Sequence, residues 1–214
     1  MIRIFIESGV KQSFKKGKET TNEQNFVEEF IAHHFPEKQK DVDFVVIGIG
    51  GKDKLDISRL PFEENTLAGG TNILLFDADT MENLGGYMVR SSELNKKKEL
   101  LGLEFELFLW PNNKDDGDFE SLLIQMINPL HQCLLDCFNG FEMCIRGNDP
   151  DEILYKTPER KSAIFTYINS FIKTQSEEKK IKSGYWLFSD ERFWNLDADA
   201  GKPFVDFLKR IFGE

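Results

Sequence analysis

Four short apolar segments, separated by segments with helical spacing, constrain the fold of this chain more than any other feature. They lie at residues 2–6, 43–48, 72–76 and 105–109. Nearly continuous apolar runs of this length are typical of strands that are buried on both faces of a parallel sheet. We therefore predict an α/β fold with a mostly parallel, four-stranded, Rossmann-like sheet flanked by helices.

The segment between the first two predicted strands carries clear helix signals. Thr20 with Glu23 offers one capping box. Thr21 with Gln24 offers a second box that overlaps the first. Apolar residues then recur at helical spacing until Pro36, which should end this helix.

Several further segments, between and after the strands, have the apolar spacing of helices. Amphipathic spacing predicts helices over residues 87–99, 119–127, 130–144, 158–173 and 203–212. No low-complexity linker interrupts the chain. We therefore predict an α/β core over residues 1–128 and a helical extension over residues 129–214 that packs on it.

Acidic residues and a glycine turn follow the predicted strands at the point where each strand ends. Glu7 follows the first strand, and Asp77 and Asp79 follow the third. A turn at residues 50–51 follows the second strand. Ligands of open parallel sheets bind beyond the carboxyl ends of the strands, so these residues and the segment 115–120 should converge there.

The three acids at the strand ends suggest a divalent cation site. Side chains alternate along a strand, so Asp77 and Asp79 should lie on one side, where two close carboxylates favour a cation between them. Glu7 would be a third ligand or a general acid or base. Mg²⁺ prefers such carboxylate oxygens, and Mn²⁺ is the alternative. The alternative interpretation is that these acids cap helices and are exposed to solvent.

The order of these motifs resembles the Toprim domain, which occurs in topoisomerases, bacterial-type primases and overcoming-lysogenisation-defect nucleases. A strand ending in Glu, a glycine turn after the next strand and a D-x-D after a third form that order. More closely, Gly50-Gly51-Lys52, Asp77-Ala78-Asp79 and the segment 110–120 look like a small uncharacterised Toprim-like family related to those nucleases. The resemblance covers roughly residues 1–128 with ordered motifs, and the rest only by the general look of the segment 161–167 and the final helix.

This resemblance implies a role for each matching residue. It implies catalytic roles for Glu7, Asp77 and Asp79. It implies a metal site with four acidic ligands: Asp77, Asp79, Glu120 and Glu7. It also implies that the backbone at Gly50 and Gly51 binds phosphate. Lys52, next to this turn, either contacts the same phosphate or is a surface lysine. The chain departs from the family where Glu-Ser-Gly replaces the usual Glu-Gly and a long lysine-rich loop follows.

Three functions are compatible with these features. The first is a Mg²⁺-dependent phosphodiester-processing protein, specifically a nuclease that acts on DNA or RNA. The second is a non-catalytic Toprim-like module that binds metal or nucleotide within a larger complex. The third is an enzyme for a small phosphorylated substrate.

Composition limits the partners. The net charge of −10 opposes a passive grip on nucleic acid, although bound divalent cations invert the local charge. No apolar run is long enough to span a membrane. The motifs still favour nucleic acid as a partner. A protein partner or a second copy of the chain is also expected, and a membrane is not.

Cysteine and aromatic residues add smaller expectations. Three cysteines, at residues 133, 137 and 144, are expected to be buried free thiols in a reducing compartment, the cytoplasm. Trp186 and Trp194 are expected to pack in the core rather than stack on bases. His33 and His34, at the end of a predicted helix, are expected at the surface or half-buried.

Overall fold

The chain forms a four-stranded, entirely parallel sheet. The computed structural model describes residues 1–9, 20–147 and 155–213. The strands are β1 (Ile2–Ile6), β2 (Phe44–Gly48), β3 (Thr71–Asp77) and β4 (Glu106–Trp110), in the spatial order β2-β1-β3-β4. The predicted α/β fold with a parallel sheet flanked by helices is confirmed. Most of the lysine-rich loop expected after Glu7 lies outside the described residues.

Eight α-helices occur in the described residues. They are α1 (Asn22–His34), α2 (Arg59–Leu67), α3 (Tyr87–Leu101), α4 (Phe119–Gln125), α5 (Gln132–Gly147), α6 (Arg160–Asn169), α7 (Gln175–Lys182) and α8 (Lys202–Phe212). The sequence predicted all of these except α2 and α7. Thr21, rather than Thr20, caps α1, because its side chain accepts a hydrogen bond from the Gln24 amide.

Helices cover both faces of the sheet. Ile4, Ile73 and Phe108 point to one face, where α1, α4 and α8 pack against them. Phe5 and Leu74 point to the other face, towards α2 and α3. Because neighbouring strand residues alternate between two apolar layers, each strand must be apolar along its whole length. This arrangement explains the continuous apolar runs in the sequence.

The C-terminal extension shares the core of the sheet. Phe204 of α8 lies 4.8 Å from the Trp110 ring, 5.0 Å from Phe108 and 5.3 Å from Phe30, measured between ring centroids. Leu208 of α8 is fully buried in the same apolar layer. Residues on both sides of position 128 therefore form one continuous hydrophobic core.

Three smaller expectations have clear outcomes. Trp186 and Trp194 are buried, as predicted. The expectation that the cysteines are buried is wrong, because the side chains at residues 133, 137 and 144 are exposed on α5. Leu135 is the one buried residue of that helix. No helix in the described part of the chain is long and apolar enough to cross a membrane.

Candidate active site

A cavity of about 550 Å³ opens at the carboxyl edge of the sheet, between the ends of β1 and β3 and the starts of α1 and α4. Four acidic residues and two lysines line it: Glu7, Glu23, Asp77, Glu120, Lys161 and Lys182. This edge is where open parallel sheets bind ligands. Three of the acids predicted from the sequence therefore lie around one space.

Glu7 reaches the cavity because β1 ends one residue before it. Its backbone amide donates to the Leu75 carbonyl (3.1 Å), which extends the pairing of β1 with β3. One oxygen of its carboxylate accepts a hydrogen bond from the Asp77 amide (3.2 Å). Burial raises the pKa of Glu7, and the charge of Asp79 raises it further. The carboxyl is thus held at the strand end in an environment that disfavours its charge.

Asp77 is the last residue of β3 and is directed at the start of α4. Its Oδ1 accepts a hydrogen bond from the Phe119 amide (2.8 Å), in the first turn of that helix. Burial raises the pKa of Asp77 well above its usual value, and the nearby charges of Glu23 and Glu7 add to this effect. Crowded carboxyls of this kind gain from a cation that neutralises them.

Glu23 is the functional candidate that the sequence did not reveal. It lies in the first turn of α1 and is only 7% exposed. Its carboxylate accepts from the Trp110 indole N–H (2.9 Å) and from the Ser8 amide (3.1 Å). Burial raises the pKa of Glu23 to about 7. In the sequence, Glu23 had the features of a helix-capping residue, and its contact with Trp110 depends on tertiary folding.

Glu120 and the two lysines form the outer part of the cavity. Glu120 lies in the first turn of α4 and forms an ion pair with Lys161 of α6 (3.6 Å). Lys182, at the end of α7, is 3.9 Å from Glu178. Lys161 and Lys182 are remote from the strands in sequence, so no motif linked them to the site. They supply positive charge beside the acids.

Asp79 occupies a different environment from Asp77. β3 ends at Asp77, and Asp79 has a left-handed backbone with φ of +61°. The Asp79 carboxylate pairs with Arg90, which is 5% exposed and also contacts Glu93 at 2.6 Å. Asp79 is not among the described residues that line the cavity. Strand alternation therefore does not set these two carboxylates side by side, because the strand does not continue to Asp79.

The glycine turn makes contacts within the protein. The amides of Gly50 and Gly51 both donate to the Glu7 carbonyl, at 3.0 Å and 2.9 Å. A Cβ on Gly9 would lie 2.8 Å from the Gly50 Cα, so the two backbones approach very closely. Lys52 pairs with Glu93 at 3.0 Å. The two amides that the resemblance assigned to phosphate thus hold the end of β1 in place.

The carboxylates that line the cavity could hold Mg²⁺ if two of them act as direct ligands. Mg²⁺ usually takes one or two carboxylates and completes its shell with waters and substrate phosphate. Within the described residues, the four acids of the cavity do not bring three ligand atoms within 4.8 Å of one another. Glu7 and Asp77 are neighbours at the two strand ends: the Glu7 carboxylate accepts from the backbone amide of Asp77, and its charge raises the pKa of the Asp77 carboxyl.

Comparisons with known proteins identify no relative of this chain. No protein-family model, no curated protein and no solved structure matches this chain. The Toprim resemblance therefore rests on the order of the sequence motifs.

Proposed function

We propose that this protein is a nuclease that cleaves phosphodiester bonds in DNA or RNA with Mg²⁺ or Mn²⁺ as cofactor. The observation that carries the proposal is the cavity at the carboxyl edge of the sheet, which is lined by four carboxyls and two lysines. Burial, together with the charge of neighbouring carboxylates, raises the pKa values of Glu7, Glu23 and Asp77. A divalent cation relieves that repulsion, and the lysines attract phosphate.

In this proposal Glu7 and Asp77 hold the cation. When bound, the cation polarises a phosphoryl oxygen and stabilises the charge that develops on it. Asp79 keeps its ion pair with Arg90 and acts on Glu7 only through its charge. The glycine turn fixes the position of Glu7 through its carbonyl.

Glu23 is the proposed general acid or base. A catalytic acid or base is most effective when its pKa lies near the working pH, and the pKa of Glu23 is about 7. The Trp110 indole and the Ser8 amide fix its carboxylate at the cavity wall. Glu23 would take a proton from the attacking water, or return one to the leaving oxygen.

Lys161 and Lys182 are the proposed phosphate ligands. Both line the cavity next to the acids, and lysine binds phosphate as a compact point charge. The chain as a whole carries a charge of −10, so a nucleic acid would be held locally rather than by a broad basic surface. We therefore expect a short segment of nucleic acid, rather than a long duplex, to contact the protein.

A non-catalytic module within a larger complex is the second candidate. The exposed surface around α5 supports it, because Leu130, Phe141 and Met143 are 83%, 54% and 68% exposed. Exposed apolar side chains on and beside one helix are a feature that a protein partner or a second copy of the chain could cover. A cytoplasmic location belongs to both proposals, because exposed thiols suit a reducing compartment.

A cleavage assay tests the nuclease proposal. Wild type, Asp77→Asn and the exposed-site control Asp136→Asn would be incubated with single- and double-stranded DNA and RNA, with Mg²⁺, Mn²⁺ or a chelator. We expect cleavage that requires the cation, is lost in Asp77→Asn and is unchanged in Asp136→Asn. Absence of cleavage by wild type under all these conditions would exclude the free-standing nuclease and favour the binding module.

A further inference from the structure

Two histidines and an aspartate meet at the end of α1 that lies away from the cavity. His33 and His34 are the last two residues of α1, and Asp197 lies on the segment that precedes α8. One ligand atom from each of these residues lies within 4.8 Å of the others. Among the described residues, this is the one group of three or more acidic, histidine or cysteine side chains with that spacing.

The distances within the group suit a shared cation. The Nε2 of His33 and the Oδ1 of Asp197 share a hydrogen bond of 2.9 Å, and a cation that binds both atoms would replace the proton between them. The rings of His33 and His34 are perpendicular, with centroids 4.7 Å apart. One ring nitrogen from each histidine nevertheless lies within 4.8 Å of the other and of an Asp197 oxygen.

The position of His34 is set by neighbours on two sides. Its Nε2 lies 3.1 Å from the Leu196 carbonyl, and its ring packs on Phe30 with centroids 4.4 Å apart. A carbonyl only accepts hydrogen bonds, so Nε2 carries the proton and Nδ1 carries the lone pair that a metal ion needs. Histidine ligands in metal sites commonly donate their other N–H to a backbone carbonyl in this way.

The surroundings also favour a cation. Helix C-termini carry a partial negative charge, and both histidines are in the last turn of α1. A cavity of about 390 Å³ adjoins His33 and Asp197 and has Glu191 and Asn195 in its wall. The Asp197 amide donates to the Asn195 side chain (3.1 Å), which orients the loop. The cavity leaves room for water to complete a coordination shell.

We propose that His33, His34 and Asp197 form a binding site for a transition-metal ion such as Zn²⁺, Ni²⁺ or Co²⁺. Imidazole ligands suit these ions, whereas Mg²⁺ prefers oxygen ligands. The site therefore differs in metal preference from the acidic cavity at the other end of α1. Bound metal joins the C-terminal end of α1 to the segment around Asp197, and so stabilises the helix that carries Glu23.

Thermal unfolding with added metal tests this site. Tag-free protein with alkylated cysteines would be titrated with Zn²⁺, Ni²⁺, Co²⁺ and Mg²⁺, because the exposed thiols of α5 would otherwise bind the same ions. At a hundredfold excess over Kd, we expect Zn²⁺, Ni²⁺ or Co²⁺ to raise Tm by about 5–10 °C in wild type. The Co²⁺ complex should also show visible d–d absorption.

Three variants assign the effect to the group. His33→Gln and Asp197→Asn should lose most of the Tm increase and the Co²⁺ absorption, and both positions are exposed enough to tolerate the change. His131→Gln is the matched control, because His131 is the third histidine of the chain and lies outside the group. No Tm increase in wild type, or an equal increase in His33→Gln, would overturn the proposal. Neither result depends on nuclease activity.

Discussion

At the scale of single residues, the sequence pointed to Glu7 and Asp77 at the strand ends and to Glu120 in the first turn of α4, but it did not point to Glu23 in α1. Glu7 and Asp77 were predictable because the carboxyl ends of parallel strands share one edge. Glu23 was not, because its importance comes from burial against Trp110, which is 87 positions away in the chain. Asp79 was predicted to face the site, but its carboxylate pairs with Arg90 instead. This ion pair could not be inferred from the D-x-D pattern, because Arg90 lies on the next helix.

Glu23 should make the stability of the protein depend on pH. Its pKa is raised from 4.5 to about 7 on folding, so the folded state binds a proton more tightly than the unfolded state. The stabilisation is fully present below pH 4.5 and is lost as pH rises through about 7, by an amount on the order of 3 kcal/mol.

Glu23→Gln should remove this pH dependence, because glutamine does not ionise. Urea unfolding at pH 4.5 and pH 8 would measure the free energy of unfolding of both proteins. The loss between the two pH values should be smaller in Glu23→Gln than in wild type and in the exposed control Glu99→Gln. Equal losses in all three proteins would show that Glu23 ionises normally in the folded state.

At the scale of elements, the sequence predicted each element that has a strong apolar pattern. All four strands were found because both of their faces are buried. Helix α7 was missed because Ile181 is its only buried residue, so it has no apolar periodicity. Helix α2 was missed because it is short and contains Pro61 near its start. Helix α7 begins with a capping box formed by Thr174 and Glu177, whereas α2 has no side-chain cap and buries Phe62 against the sheet.

The start of α1 provides a test at this scale. The sequence offered Thr20 and Thr21 as alternative caps, and the structure selects Thr21, which also lies 2.8 Å from the Ser8 hydroxyl. Thr21→Ala should lower the free energy of unfolding by about 1 kcal/mol. Thr20→Ala is the matched control and should change it by less than half as much. Denaturant unfolding of the two variants decides between the caps, and a larger loss in Thr20→Ala would contradict this assignment.

At the scale of the whole molecule, one apolar layer unites the sheet with the C-terminal extension. Phe204 is 1% exposed and packs on Trp110 and Phe108 from the sheet. Sequence patterns predicted the helix that contains Phe204, but they did not show which face of the sheet it covers. The shared core implies that residues 1–128 depend on the extension for their stability.

Truncating Phe204 should therefore destabilise the whole chain in a single transition. Phe204→Ala should cost about 3–5 kcal/mol, which is typical of a fully buried phenylalanine. Phe165→Ala is the control, because Phe165 is 49% exposed and its loss should cost much less. Unfolding followed by both far-ultraviolet circular dichroism and tryptophan fluorescence would show coincident transitions. Separate transitions would instead indicate two independent units.

Mn²⁺ binding followed by electron paramagnetic resonance would show whether Asp77 belongs to a divalent cation site. Wild type, Asp77→Asn and Asp79→Asn would be compared, with Mg²⁺ as competitor. Asn fits the buried position of Asp77 because the surroundings of this side chain already disfavour a negative charge. We expect Asp77→Asn to weaken Mn²⁺ binding by about tenfold or more, and Asp79→Asn to weaken it much less. Equal affinity in wild type and Asp77→Asn, or no binding by wild type, would contradict this role of Asp77.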